Sequence, residues 1–426
     1  MKRTLIDFPH ELAGLPLFGF GWLLIGWLAW SLGWALFTYR RRGSLRSLTQ
    51  HIPIMLIVGV VIVIVMPWLE PRDAEGQPTG MAVRGYGFMM MLGVVSGIGM
   101  AVQRGRRMGI HPDVIFSLAL IIFMAGMVGA RLFYVIQYWK ESFHPPGEPF
   151  QLLEVAGRVL KFTEGGLVVY GALIFALGAT LAFLHRRGLP KLAIADLLGP
   201  AMMIGLALGR IGCFLNGCCY GGVCPPGEPL GLEFPASSPP YAAQLYEGTL
   251  LGLQLDGRRV EKVREGSLAE HSGITEGDVL DSQISVDRNR IELTLQGAES
   301  NQPTRLISWD QAELPKRAVA VYPSQLLGSI NALLLCFLLY AIYPYRKRDG
   351  QVIALMLVLY ATTRFFMEII RSDELHSLFS LFTPAQTVSL LIFTIGTVLL
   401  IATSLSSRSL ALPVKQSRMN PGGERS

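Results

Sequence analysis

The sequence predicts an all-α polytopic membrane protein of about nine transmembrane helices, with one small external α/β or β insertion. Composition is the first observation: 51% of the 426 residues are hydrophobic and 16% are charged, whereas soluble domains carry about 25% charged residues. The second is a series of nine apolar runs, each close to the roughly 20 residues that a helix needs to cross a bilayer. The third is a long charged segment in which polar and apolar residues alternate, and which interrupts the series after the sixth run.

The nine apolar runs define the predicted helices in chain order. No small-residue cleavage site follows the first run, so we interpret it as a span rather than as a signal peptide. The centres of the first two runs hold tryptophans and no ionisable residue, which is typical of lipid-facing helices. The predicted spans are Leu17–Thr38, Ile52–Leu69, Tyr86–Val102, Val114–Tyr138, Leu167–Leu184, Ala193–Phe214, Gln325–Tyr343, Val352–Ile370 and Thr383–Thr403.

Short basic segments predict the orientation, because positively charged loops stay in the cytoplasm. Alternate loops carry clusters such as Arg40–Arg42, Arg104–Arg107 and Arg346–Arg348, while the short loops between them hold few basic residues. We therefore expect the N-terminus outside and the C-terminus in the cytoplasm. The same rule accounts for the net charge of +6, so this charge does not indicate a nucleic-acid partner.

Composition also predicts five segments along the chain. In order they are two extra N-terminal helices (1–80), the first part of a membrane core (81–251), an external insertion (252–316), the second part of the core (317–405) and a cytoplasmic tail expected to be disordered (406–426). In the insertion, Gly266-Ser267-x-Ala269 followed by Gly277-Asp278 resembles about half of a PDZ domain. A purely structural insertion is the alternative.

Polar residues in the predicted spans fall at one end of each span. An arginine in a span costs roughly 2.5–3.5 kcal/mol on insertion scales, so it indicates a function or a partner. With the predicted orientation, all of these residues lie in the outer half of the bilayer, where several arginines with hydroxyls and one carboxylate suit a lipid phosphate. Arg84 also fits an interfacial, snorkelling arginine. The residues are Tyr86, Arg131, Tyr170, Arg210, Asn216, Gln325, Arg364 and Glu368.

Two local patterns refine this expectation. Arg364, Glu368 and Arg371 share one helical face, which predicts a salt-bridged stripe at the end of the eighth span. The run Cys213-x4-Cys218-Cys219-x4-Cys224 matches no familiar zinc spacing and has no histidine partner, so we expect no metal. An external disulfide and plain packing of small residues both remain open for these cysteines.

These residues resemble the motifs of the prolipoprotein diacylglyceryl transferase family of bacterial inner membranes, over about residues 82–404 without the insertion. The most specific motif is Gly209-Arg210-Ile211-Gly212-x-Phe214-Leu215-Asn216-Gly217. The others follow in family order: Arg84-x-Tyr86-Gly87, Gly129-Ala130-Arg131, Gly165-Gly166 with Tyr170-Gly171, Pro323-Ser324-Gln325-Leu326, and Arg364-x3-Glu368-x2-Arg371.

The resemblance implies an enzyme that moves the diacylglyceryl group of phosphatidylglycerol to the lipobox cysteine of a prolipoprotein signal peptide and releases glycerol phosphate. It implies no cofactor, and the lipid bilayer as the working environment. Arg210 and Arg364 are then expected to clamp the phosphate, with Tyr170 and Tyr86 near the reacting carbon or thiol. The remaining implied substrate-binding residues are Arg84, Arg131, Asn216, Ser324, Gln325, Glu368 and Arg371.

Several positions depart from the family pattern. Tyr170 stands where the family has a histidine that is a candidate base, and an unperturbed tyrosine pKa near 10 makes a poorer base. Cys213 and Cys218 replace family Asn and Glu positions, and Tyr322 replaces a histidine. The alternative function is a non-catalytic relative that binds outer-leaflet phospholipid or preprotein and recognises partners through the PDZ-like insertion. No internal repeat favours a transporter.

Overall fold

The computed structural model describes residues 4–42, 52–73, 75–143, 152–160, 166–225, 227–281, 285–286, 290–296, 304–369, 382–406 and 410–411. Arg371, Gly165 and most of the predicted tail at 406–426 lie outside these residues. The chain divides into two compact units, Met1–Phe88 and Met89–Ser426.

The first unit combines short strands with two long helices. Strand β1 (Thr4–Phe8) pairs antiparallel with β4 (Met81–Arg84). The Glu70 carboxylate is 6% exposed and joins the ends of this unit, because Oε1 lies 2.8 Å from His10 Nδ1 and accepts the Gly80 N–H at 2.9 Å. The remaining elements are β2 (Glu11–Leu12), β3 (Leu15–Pro16), α1 (Trp22–Arg42) and α2 (Ile52–Leu69).

The second unit is mainly helical, and helix α3 leads into it from the first. Nine helices of the described residues are long and apolar enough to cross a membrane, which confirms the nine predicted spans to within about five residues at each end. The helices after α2 are α3 (Gly85–Arg107), α4 (Pro112–Gln137), α5 (Leu152–Leu160), α6 (Val169–Arg186), α7 (Lys191–Asn216), α8 (Pro239–Tyr246), α9 (Leu268–His271), α10 (Ser324–Ile342), α11 (Gln351–Ile369) and α12 (Pro384–Leu405).

Small residues set the closest helix crossings of the second unit. A Cβ atom added to Gly129 of α4 would meet the Gly171 carbonyl oxygen of α6 at 2.5 Å. Helix α3 approaches α7 in the same way, where a Cβ at Gly97 would lie 3.0 Å from the Ala201 carbonyl oxygen. The backbones therefore touch with no side chain between them, as in membrane helix pairs joined by small residues.

Helix α11 begins against a buried carboxylate of α7. Asp196 is fully buried and accepts the backbone N–H groups of Gly350 at 2.7 Å and Ile353 at 2.9 Å. These groups belong to the first turn of α11 or precede it, so they have no partner within that helix. Arg346 lies 3.7 Å from the same carboxylate with its side chain 1% exposed. A buried charge thus fixes the start of α11 relative to α7.

A six-stranded sheet occupies the segment between α8 and α10. Its order is β10–β9–β7–β6–β5, and β8 also pairs with β9. Its buried side chains share one apolar cluster with Leu250, Leu251 and residues of α8 such as Tyr241. The strands are β5 (Leu253–Asp256), β6 (Arg259–Val263), β7 (Val279–Leu280), β8 (Ser285–Val286), β9 (Arg290–Gln296) and β10 (Arg305–Asp310).

Candidate active site

Arg210 and Arg364 line one small cavity between α7, α10 and α11. Arg210 lies two turns before the end of α7, and its aliphatic stem packs beside Gly328, where an added Cβ would lie 3.6 Å from Arg210 Cδ. No hydrogen bond or salt bridge joins the Arg210 guanidinium to another described residue, so its five N–H donors are available to a ligand. The cavity is lined by Leu206, Arg210, Ser324, Gly328, Asn331, Tyr360, Arg364 and Met367.

Arg364 is held by Glu368, one turn further along α11. The Arg364 Nη1 donates to Glu368 Oε2, which confirms the predicted salt bridge between these two residues. The Glu368 side chain is 1% exposed and that of Arg364 is 19% exposed, so the carboxylate is buried behind a guanidinium that reaches the cavity. Thr383, the N-cap of α12, places its hydroxyl 3.4 Å from Glu368 Oε1. The pair therefore also joins α11 to the start of α12.

A tight turn follows α7 and contacts the start of α10. Gly217 ends the helix in the left-handed region (φ 77°), and Cys219 adopts it as well (φ 59°), which is uncommon for a residue with a Cβ. Gln325 Nε2 donates to the Cys218 carbonyl oxygen at 2.9 Å, and Ser324 Oγ donates to that of Cys219 at 2.7 Å. The described contacts of these two predicted substrate-binding residues thus go to the turn, although Ser324 also lines the cavity.

Three sulfur atoms come together at this turn. The Sγ atoms of Cys213, Cys218 and Cys219 all lie within 4.8 Å of one another, and each residue is half-buried. Hydrogen bonds with the thiols of Cys213 and Cys219 lower the pKa of the Cys218 thiol below its ordinary value. Arg210 is close enough for its charge to act on Cys219. The cluster therefore lies near Arg210, although none of its three cysteines lines the cavity.

Arg131 contacts backbone carbonyl groups. Its guanidinium donates to the carbonyl oxygens of Arg158 at 2.7 Å and Val159 at 2.9 Å, both in α5. A further N–H donates to the Gly166 carbonyl oxygen at 3.1 Å, and the residue is 6% exposed. Arg131 thus holds α5 and the chain before α6 against α4. Its support of a bound phosphate remains a prediction.

The other expected site residues lie at the ends of helices. Tyr170 is in the first turn of α6 and 56% exposed, while Asn216 ends α7 with its side chain hydrogen-bonded to Cys218. Arg84 and Tyr86 belong to the first unit, where Arg84 pairs with Thr4 in the β1–β4 ladder and Tyr86 is the second residue of α3. Arg371 lies outside the described residues.

The sequence reasoning missed Asn331, Thr363 and Tyr360. Asn331 Nδ2 donates to Thr363 Oγ1 at 3.0 Å and connects α10 to α11 beside the cavity. A signal was present, because Asn331 follows Ser324 by seven residues and therefore shares its helical face. An asparagine in an apolar span also needs a partner.

Comparison with known proteins identifies the family that this chain matches. The sequence profile of the Prolipoprotein diacylglyceryl transferase family matches residues 77–257 and 287–402. A phosphatidylglycerol–prolipoprotein diacylglyceryl transferase of Rhodopirellula baltica is 34% identical over 441 aligned positions, covering 92% of this chain and 87% of that protein. Enzymes of the same name from Clostridium perfringens and Clostridium tetani are each 31% identical, covering 41% and 38% of this chain and 66% and 59% of their own lengths.

Proposed function

Because this chain belongs to the prolipoprotein diacylglyceryl transferase family, we propose that it transfers the diacylglyceryl group of phosphatidylglycerol to the lipobox cysteine of a prolipoprotein. The cysteine thiol replaces the phosphate ester oxygen on the glyceryl carbon, and glycerol phosphate leaves. The observation that carries this proposal is the cavity lined by both Arg210 and Arg364, with Glu368 buried behind Arg364.

The charges of the cavity suit a phosphodiester. Arg210 and Arg364 contribute two positive charges and Glu368 one negative charge, which leaves a net charge of +1 for one phosphatidylglycerol phosphate. Negative charge grows on the departing phosphate oxygen as the bond to carbon breaks. Guanidinium donors already aimed at that oxygen stabilise this charge in the transition state more than in the ground state. Arg210 is the better candidate for this contact, because its donors have no partner among the described residues.

Each remaining residue has a proposed role. Glu368 orients Arg364, and Ser324, Gln325 and Asn216 hold the turn that borders the phosphate. Tyr170 and Tyr86 are proposed to act on the reacting carbon or thiol, as the family motifs that contain them imply. Arg131, Arg84 and Arg371 support the lipid headgroup.

We propose a bacterial inner-membrane location, with the N-terminus outside and the C-terminus in the cytoplasm. The distribution of basic loops supports this orientation, and it puts the cavity on the outer side, where a secreted preprotein arrives. Reporter enzymes fused after α2 and after α12 test it, since activity of the reporter depends on the side that it reaches. The fusion after α2 is expected on the outer side and the fusion after α12 on the cytoplasmic side.

The segment 252–316 is proposed to be an external PDZ-like insertion into the membrane core, which resumes at 317–405. The break in the family match between residues 257 and 287 supports an insertion, and the strands β5–β10 occupy this segment. If the insertion regulates or recruits, its deletion leaves the basal transfer of a short lipobox peptide unchanged. Loss of that transfer in a correctly inserted variant would refute a dispensable insertion.

A peptide modification assay tests the reaction itself. Purified full-length protein is mixed with phosphatidylglycerol and a lipobox peptide, and the peptide mass is followed beside an active relative. We expect the mass of one diacylglyceryl group to be added, with no addition to a peptide whose cysteine is serine. Arg210→Ala should abolish the addition, whereas Arg107→Ala, an exposed arginine at the end of α3, should not. An unmodified peptide under conditions where the relative is active refutes the transferase.

A further inference from the structure

The three-thiol cluster of Cys213, Cys218 and Cys219 is a chemical feature that the proposed roles leave unused. A tetrahedral zinc ion holds thiolate sulfurs at about 2.3 Å, so that neighbouring sulfurs lie roughly 3.8 Å apart. The three sulfurs of the cluster already lie within 4.8 Å of one another without an ion. Side-chain adjustments of about 1 Å or less therefore bring all three to bonding distance.

The cluster offers three ligands and an open fourth position. Cys224, the last cysteine of the sequence run, does not belong to the cluster and lies buried beside Gly231, its sulfur 3.3 Å from where a Cβ of that glycine would be. Structural zinc sites use four protein ligands, whereas catalytic sites use three and leave one position for water or substrate. The ligand count is thus that of a catalytic site.

The surroundings of the cluster suit a charged metal–thiolate group next to the reaction. Three thiolates and one Zn²⁺ carry a net charge of −1, and the positive charge of Arg210 acts on Cys219. Ser324 both lines the cavity and donates to the Cys219 carbonyl oxygen, so one residue connects the cluster with the cavity. None of the described histidines lines that cavity.

We propose that Cys213, Cys218 and Cys219 form a three-thiolate zinc site that takes the acceptor cysteine of the prolipoprotein as its fourth ligand. This inference rests on the proposed function and supplies the missing means of deprotonating the acceptor, because a thiol coordinated to zinc loses its proton outright. The proton passes to water. The thiolate attacks the glyceryl carbon, the C–S bond forms as the C–O bond breaks, and the electron pair leaves with the phosphate oxygen beside Arg210. The neutral thioether product is a weaker ligand and dissociates.

Metal content tests the site directly. Full-length protein is purified with its thiols reduced, equilibrated with zinc and freed of loose metal, and zinc per chain is measured by mass spectrometry. One zinc per chain is expected, with loss in Cys213→Ser, Cys218→Ser and Cys219→Ser and retention in Cys224→Ser. Wild-type protein without zinc, or with two of these three cysteines joined in a disulfide, overturns the proposal.

Cobalt in place of zinc tests the fourth ligand. Tetrahedral Co²⁺ thiolate sites absorb through sulfur-to-metal charge transfer, and a fourth thiolate should raise this absorption by roughly one third over three. A lipobox peptide should produce the rise, and its Cys→Ser counterpart should not. If the charge-transfer absorption of the cobalt-loaded protein does not change when the cysteine peptide is added, the proposed role of the open position is overturned.

The peptide modification assay, run on the same samples, separates the two proposals. Undiminished transfer by protein stripped of metal, or by Cys219→Ser, overturns the zinc role and leaves the transferase intact. A peptide-dependent cobalt change without any transfer refutes the transferase while supporting the metal site. Transfer that falls with zinc content and returns on its addition supports both.

Discussion

Replacing Arg364 with methionine should cost both stability and activity, for separable reasons. The substitution leaves the Glu368 carboxylate, whose side chain is 1% exposed, with the Thr383 hydroxyl at 3.4 Å as its remaining described contact. Removing one partner of a buried ion pair costs about 3–5 kcal/mol. Since the Arg364 side chain is 19% exposed and partly screened, we expect a loss in the free energy of unfolding near the lower end, about 3 kcal/mol.

The activity loss has a different origin. Arg364→Met removes one of two guanidiniums from the cavity, and loss of one such donor slows a transferase by roughly 10²–10³-fold. The double variant Arg364→Met/Glu368→Gln removes the stranded charge as well. It should recover most of the lost stability, because a neutral amide is far less costly to bury than an unpaired carboxylate. It should recover none of the transfer.

Thermal unfolding in detergent and the rate of peptide modification measure the two effects on the same preparations. Arg210→Ala is the matched variant, since Arg210 has no described partner and its removal strands no charge. It should lose transfer with an unchanged unfolding temperature. If the double variant is as unstable as Arg364→Met, or if Arg364→Met transfers at the wild-type rate, the corresponding half of the reasoning is wrong.

Three further changes test how the structure holds the site. Gly129→Val drives a Cβ to 2.5 Å from a carbonyl oxygen of α6 and should prevent correct folding, whereas Gly126→Ala, 3.8 Å from its nearest neighbour, should be tolerated in yield and thermal unfolding. Asp196→Ala leaves two buried backbone N–H groups without an acceptor and should lose about 2–4 kcal/mol of unfolding free energy, while Asp113→Ala at an exposed position should change it little. Arg131→Lys keeps the positive charge, but an ammonium group cannot reach three separate carbonyl oxygens. Backbone hydrogen exchange should therefore be faster than in the wild type for residues 152–160 and unchanged for α7. An exchange rate at residues 152–160 equal to that of the wild type would contradict this role.

Hydropathy and helical period were sufficient for much of the fold. A single apolar run crosses a bilayer as a helix, because only a helix satisfies all of its backbone hydrogen bonds within the run, so length and apolarity predict nine spans. The i, i+4 spacing also predicted the contact between Arg364 and Glu368, since both residues lie on one helix. These predictions depend only on local sequence.

The contacts that the sequence did not predict depend on what the chain does between helices. The cysteine spacing gave no sign of a three-sulfur cluster, because Gly217 and Cys219 turn the chain through left-handed conformations that no hydrophobic period encodes. The hydrogen-bond acceptors of the Arg131 guanidinium were also not predicted. Its acceptors are backbone carbonyl groups in another segment, and every residue carries such a group.

The Arg131 contacts with α5 have a consequence for how this region can vary. The two described acceptors in α5 are main-chain oxygens, so these two hydrogen bonds do not depend on which side chains α5 carries. Substitutions along α5 that preserve its helix therefore leave these hydrogen bonds intact. Helix α5 can therefore diverge in sequence while its two hydrogen bonds with Arg131 of α4 persist.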